Sequence, residues 1–160
     1  MTERQEILKR LKGLSESKLR KFIVNYSKKE LGDSAEIHGS GEHGIDVVTL
    51  MKPDRDPLGL GQTLLFQVKK DRITLGSWRN NLSGQLAEMY VRTIRALNIN
   101  EMSPRRVILL YNDMTPAVHE AISDWNKKIP IPIELLPLHV LASILDGKGF
   151  KAREIRRMAR

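Results

Sequence analysis

The sequence is defined first by what it lacks. It contains no cysteine, so disulfide frameworks and thiolate metal sites are excluded. Aromatic residues make up only 5% of the chain, which argues against a surface that binds single strands by stacking their bases. No apolar run has the length of a membrane span, and the first residues contain no apolar signal core. We therefore expect a cytoplasmic protein that does not enter a membrane.

Acidic residues are also scarce relative to basic ones. The chain has 27 Lys and Arg residues against 19 Asp and Glu residues, a formal charge of +8 and a sequence pI near 9.9. A domain this basic attracts polyanions, of which nucleic acid is the commonest. The 160 residues suffice for one domain with a substantial core, so DNA is the first partner to consider.

Two apolar segments stand out, residues 44–48 and 64–69, and both are typical of neighbouring strands of one sheet. Side chains alternate along a strand, so Gln67 and Lys69 point to one face while Phe66 and Val68 point to the other. Polar groups leaving an apolar strand require partners if they are buried. Asp46, which interrupts the preceding strand, is the obvious anionic partner.

An acid, a neutral oxygen ligand and a cation together suit metal-assisted hydrolysis of a phosphodiester. Mg²⁺, or Mn²⁺ in its place, takes oxygen ligands such as the carboxylate of Asp46 and the side-chain carbonyl of Gln67. Lys69 would position the nucleophile or offset developing charge. The alternative from the residues alone is an ordinary ion pair between Asp46 and Lys69 at a strand end, with Gln67 exposed.

Residues 3–31 have helical periodicity with a break near residues 13–15, and the second helix is expected to end at Gly32. Glu16 extends the apolar stripe of this second helix, so its carboxylate could face the site. It could equally be a first-turn carboxylate favoured by the helix dipole. The expected elements that follow are a hairpin over 34–51, a helix over 77–97, a strand over 106–111, a helix to 128, an edge strand over 130–136 and a helix over 139–145.

The segments 44–48 and 66–69 resemble the PD-(D/E)xK nuclease superfamily in its Asp…Gln-x-Lys form, as in the Mrr-like restriction endonucleases. The resemblance extends over roughly residues 14–145. It implies an α/β fold, a restriction-endonuclease-like mixed sheet flanked by helices, in a single nuclease-like domain over 14–147. Residues 1–13 would then be an N-terminal helical extension and residues 148–160 a basic C-terminal tail.

The resemblance also implies DNA cleavage with Mg²⁺. Asp46 and Gln67 would be the metal ligands, Lys69 the catalytic cation and Glu16 the helical acid of the catalytic set. Glu16 departs from the family pattern because it follows Ser15 and not an aromatic residue. Expected DNA contacts come from turns and helix starts near these residues, namely Ser40, His43, Lys70, Arg72, Arg79 and Gln85.

Three functions follow from these observations. The leading hypothesis is a metal-dependent DNA endonuclease of a restriction, repair or defence type, with a homodimer or a separate specificity domain as partner. The second is a catalytically silent nuclease-like domain that binds DNA or another protein. The third is a structure-selective resolvase of the Holliday-junction type, to which the turn at residues 39–41 bears a more distant resemblance.

Overall fold

The computed structural model describes residues 1–36, 46–52, 54–55, 62–86, 105–128 and 132–160. Within these residues the chain forms one compact domain, in which a mixed five-stranded sheet is flanked by helices on both faces. The predicted α/β class is confirmed.

Two helices precede the sheet, α1 (Glu3–Gly13) and α2 (Glu16–Glu30). The side chain of Ser15 accepts a hydrogen bond from the N–H of Lys18 and caps the start of α2, so the predicted break between the helices is confirmed. The predicted helix end at Gly32 is wrong, because Leu31 caps α2.

Gly32 instead begins strand β1 (Gly32–Glu36). A Cβ atom on this residue would lie 2.0 Å from the carbonyl oxygen of Leu50 and 2.8 Å from the backbone nitrogen of Lys52. Glycine is required here by the close approach of the neighbouring strand and not by a helix cap.

The first three strands form an antiparallel meander and the last two extend it in parallel. Strand β2 (Val47–Met51) pairs with β1 and with β3 (Thr63–Lys69). Strand β4 (Arg105–Tyr111) lies parallel to β3, and β5 (Ile133–Pro137) lies parallel to β4 at the sheet edge. Strands occur in the described part of each predicted segment, and the edge position of the last one is confirmed. The bounds differ, since β1 begins at Gly32 and β2 begins after Asp46, and residues 37–45 of the hairpin predicted over 34–51 lie outside the described part of the chain. The carboxyl ends of β3 and β4 lie at the same end of the sheet.

The helix predicted over residues 77–97 begins earlier and is not uniformly α-helical. It starts as α3 (Leu75–Ser77), capped by Thr74, and continues directly into a π-helical turn (Trp78–Leu82). Residues 87–97 lie outside the described part of the chain.

Three helices complete the described structure, α4 (Pro116–Asn126), α5 (Leu138–Gly147) and α6 (Ala152–Met158). Pro116 occupies the first turn of α4, where its missing N–H costs no helical hydrogen bond. The helix ends at Asn126, two residues before the predicted end, because the Asn126 side chain exchanges two hydrogen bonds with the backbone of Ile133 at the start of β5.

The sheet separates two apolar cores. Phe66 and Val68 face the core built with α1, α2, α5 and α6, whereas Leu65 faces the core built with the π-helical turn and α4. Both ends of the chain belong to the first core, since Ile7 of α1 and Ile155 of α6 are fully buried. Among the described helices none is long and apolar enough to cross a membrane.

Candidate metal and catalytic site

Asp46 lies one residue before β2 and is held by the backbone of β3. Its N–H donates to the carbonyl of Phe66 at 2.8 Å, and its Oδ2 accepts the N–H of Val68 at 2.7 Å. The residue is only 5% exposed. A carboxylate offers about four lone pairs, so the bond from Val68 orients Asp46 without exhausting its capacity to bind a cation.

Gln67 lies beside Asp46. Asp46 is hydrogen-bonded to the backbone of Phe66 and of Val68, the two residues that flank Gln67 in β3, and the Gln67 side chain points to the face of the sheet opposite those two. Gln67 is 3% exposed, and its Oε1 accepts no hydrogen bond from any described residue. Because an unpaired buried carbonyl is costly, this oxygen is available to an electropositive ligand. The alternative in which Gln67 is exposed is wrong.

Lys69, the last residue of β3, lies two residues further along the same face. It is half-buried and lines a cleft of about 190 Å³ at the carboxyl end of the strand. The polar residues that line this cleft are Glu16, Lys69, Asp71, Arg72, Ser77 and Asn81, and its apolar lining is Ile73 and Leu82.

Glu16 reaches this end of the sheet from the first turn of α2. Its Oε1 accepts the backbone N–H of Lys70 at 3.2 Å, and its Oε2 lies 3.9 Å from Arg20. Arg20 is bound more closely to Glu36, at 2.9 Å. The carboxylate therefore lines the same cleft as Lys69 and is not merely a solvated residue of the first helical turn.

Tyr111 is the residue of β4 that pairs with Lys69. Burial, and then the negative charge of Asp113, raise the pKa of its phenol. The hydroxyl therefore stays protonated at neutral pH and adds no anionic charge beside Lys69.

The structure thus places the four predicted catalytic residues at two positions along β3. Asp46 is bonded to the backbone on either side of Gln67, whereas Lys69 and Glu16 line the cleft at the end of the strand, which neither Asp46 nor Gln67 lines. Over the described ranges no group of three or more His, Asp and Glu side chains could hold a metal ion. A metal at this site would depend on a single buried carboxylate and an amide oxygen, a donor pair that suits Mg²⁺ with retained waters.

The six predicted DNA contacts have different environments. Ser40 and His43 lie outside the described residues. The ammonium of Lys70 donates to the carbonyl of Leu14, so this lysine links β3 to the start of α2.

The other three contacts lie just before, within and just after the α3 and π-helical segment. Arg72 is exposed and pairs with Asp113 at 3.2 Å. Arg79 is exposed on the π-helical turn, and Gln85 is half-buried just beyond it. Of these three, only Arg72 lines the cleft of Lys69.

Three polar residues of the cleft, Asp71, Ser77 and Asn81, were not predicted as site residues, and Ser77 was expected only as the start of a helix. Asp71 has a sequence signal, since it follows Lys69 by two residues at the end of a strand. Asn81 has none, because it lies in the π-helical turn, where the wider turn changes which side chains face the sheet.

Comparison of the chain with protein-family models, with curated proteins and with solved structures found no match.

Proposed function

We propose that this protein is a Mg²⁺-dependent DNA endonuclease that hydrolyses phosphodiester bonds. The observation that carries the proposal is the buried Asp46–Gln67 pair, in which a carboxylate is oriented by a backbone N–H and the neighbouring Gln67 Oε1 has no described partner. The resemblance to the Asp…Gln-x-Lys nucleases and the charge of +8 support the same function.

Each residue has a distinct role in this proposal. Asp46 and Gln67 would hold the cation through their side-chain oxygens, and the N–H of Val68 keeps the carboxylate in place. When bound, Mg²⁺ activates water and offsets negative charge on the phosphoryl oxygens. Lys69 orients the nucleophile or the reacting phosphate, and its position in an open cleft allows it to reach the substrate.

The test is cleavage of supercoiled plasmid and of a branched junction with Mg²⁺ or Mn²⁺. Asp46→Asn is the sharpest variant, because an amide oxygen can still accept the hydrogen bond from Val68 while the charge is lost. Lys69→Met removes the cation and keeps the length of the side chain. Asp33→Asn, a change at an exposed acid of β1, is the matched control.

We expect both site variants to lose metal-dependent cutting and the control to retain it. Cutting that survives in Asp46→Asn and Lys69→Met would refute the assignment. A strong preference for the junction would assign the activity to a structure-selective resolvase.

A silent nuclease-like domain is the second candidate, favoured by one observation. The described residues contain no group of three acidic or histidine ligands, and Glu16 already accepts the N–H of Lys70 and lies near Arg20. Such a domain would bind DNA equally well in EDTA and in Mg²⁺ and would cut neither substrate with either metal.

A further inference from the structure

A second, larger cleft lies on the other side of the start of α2. It has a volume of about 500 Å³ and is bounded by the end of α1, the beginning of α2 and one face of α6. Its cationic residues are Lys9, Arg10, Lys18 and Arg156, and its remaining lining is Gly13, Leu14, Ser15 and Ile155.

The cationic side chains of this cleft have no ion-pair partner among the described residues. No acidic residue of the described ranges lines the cleft itself, and Arg10 also lines a neighbouring cleft with Glu3 and Glu6. Other cations are paired, such as Arg20 with Glu36 and Arg106 with Glu134. Four exposed, unpaired cations around one concavity create a positive potential that attracts an anion with several charges.

The cleft adjoins the candidate site. Ser15 lines the second cleft, called the basic cleft from here on, and Glu16 lines the cleft of Lys69. These two residues are adjacent in the chain, so their Cα atoms are only about 3.8 Å apart. The hydrogen bond from Lys70 to the carbonyl of Leu14 fixes the wall between the two clefts to the end of β3. The two clefts are therefore close enough for one polymer to contact both.

We propose that Lys9, Arg10, Lys18 and Arg156 bind the phosphate backbone of duplex DNA beside the bond that the candidate site cleaves. The cleft contains no aromatic side chain on which a base could stack, so it holds the backbone without reading sequence. The choice of DNA as the polyanion rests on the proposed nuclease function.

The test is binding of a short fluorescein-labelled duplex, followed by fluorescence anisotropy in EDTA over a series of KCl concentrations. The variants are Arg10→Ala, Lys18→Ala and Arg156→Ala, and the double variant Arg10→Ala with Lys18→Ala. Lys21→Ala is the matched control, because Lys21 is an exposed lysine of the same helix that does not line the cleft. Melting temperatures confirm that each variant is folded.

We expect each single variant to raise the Kd about tenfold near 0.1 M salt and to lower the slope of log K against log salt by roughly 0.9. The double variant should lower the slope by about twice that amount. Lys18→Arg should bind like the wild type, since it keeps the charge.

The outcomes separate this proposal from the proposed function. If the wild type cuts plasmid but the cleft variants bind like Lys21→Ala, the nuclease stands and the cleft proposal is overturned. If binding depends on the cleft cations while nothing is cut, the cleft proposal is supported and the nuclease function fails. Binding to vesicles of phosphatidylcholine and phosphatidylserine without binding to DNA would also overturn the cleft proposal.

Discussion

The buried oxygen of Gln67, which has no partner among the described residues, leads to a quantitative prediction about stability. A buried polar atom without a partner destabilises the folded state by about 1–3 kcal/mol. Leucine is close to glutamine in size and has no polar atom, so Gln67→Leu should raise the free energy of unfolding in EDTA by about 1–3 kcal/mol. A buried polar side chain that lowers the stability of the fold is typical of a functional site.

Metal binding should narrow the difference in stability between the two proteins, and should reverse their ranking where the difference in EDTA is below about 2 kcal/mol. A cation at a hundred times its Kd stabilises the folded wild type by about 2.7 kcal/mol. The variant lacks one of the two oxygen ligands and should show a much smaller gain. Urea denaturation with and without Mg²⁺ measures both effects on the same samples.

Ser27→Ala is the matched control. The Oγ of Ser27 is also buried without a described partner, but it lies on α2 in the first core. Its removal should raise stability in EDTA and leave the response to Mg²⁺ unchanged. If Gln67→Leu lowers stability in EDTA, or responds to Mg²⁺ as the wild type does, Gln67 is not the ligand proposed here.

Three further predictions concern the fold, each checked by urea denaturation. Gly32→Ala should lower the free energy of unfolding by about 3 kcal/mol or more, because the added Cβ would meet the backbone of the neighbouring strand. In the control Gly13→Ala the added Cβ has nothing within 4 Å, so this variant should raise the free energy of unfolding by about 0.5 kcal/mol. Equal effects of the two substitutions would contradict the close approach at Gly32. Asn126→Ala should lower the free energy of unfolding by about 2–3 kcal/mol, because it removes two hydrogen bonds to the first residue of β5. A decrease below about 0.5 kcal/mol would show that these hydrogen bonds do not stabilise the fold. Burial, and then the charge of Glu30, raise the pKa of Tyr26 from 10.0 to about 12, so its contribution to stability is complete below pH 10.0 and is lost as the pH rises to about 12. As the pH rises over that range, the free energy of unfolding of Tyr26→Phe should therefore fall less than that of the wild type. An identical fall in both proteins would show that ionisation of Tyr26 is not its cause.

Local patterns were sufficient for much of the fold. The break predicted near residues 13–15 is where Ser15 caps α2, because a side-chain cap acts within three residues, and the apolar run over 106–111 predicted the buried strand β4. The shared face of Gln67 and Lys69 followed from the alternation of side chains in a strand, which needs no knowledge of the partner strands.

Other features depend on contacts between distant segments. Gly32 looked like a helix cap, and only the backbone of β2 lying against it explains the residue. The π-helical turn over Trp78–Leu82 was not predicted, because the apolar spacing of this segment also fits a regular α-helix.

The sequence by itself determined the residue types of the candidate site and the face of β3 on which two of them lie, since both follow from local spacing. Only the tertiary structure decided that Glu16 reaches the end of β3 and that the oxygen of Gln67 is buried without a described partner. The basic cleft is the clearest case, because Lys9 and Arg156 come from opposite ends of the chain. Their proximity results from α1 and α6 packing against the same core, and no local pattern encodes that contact.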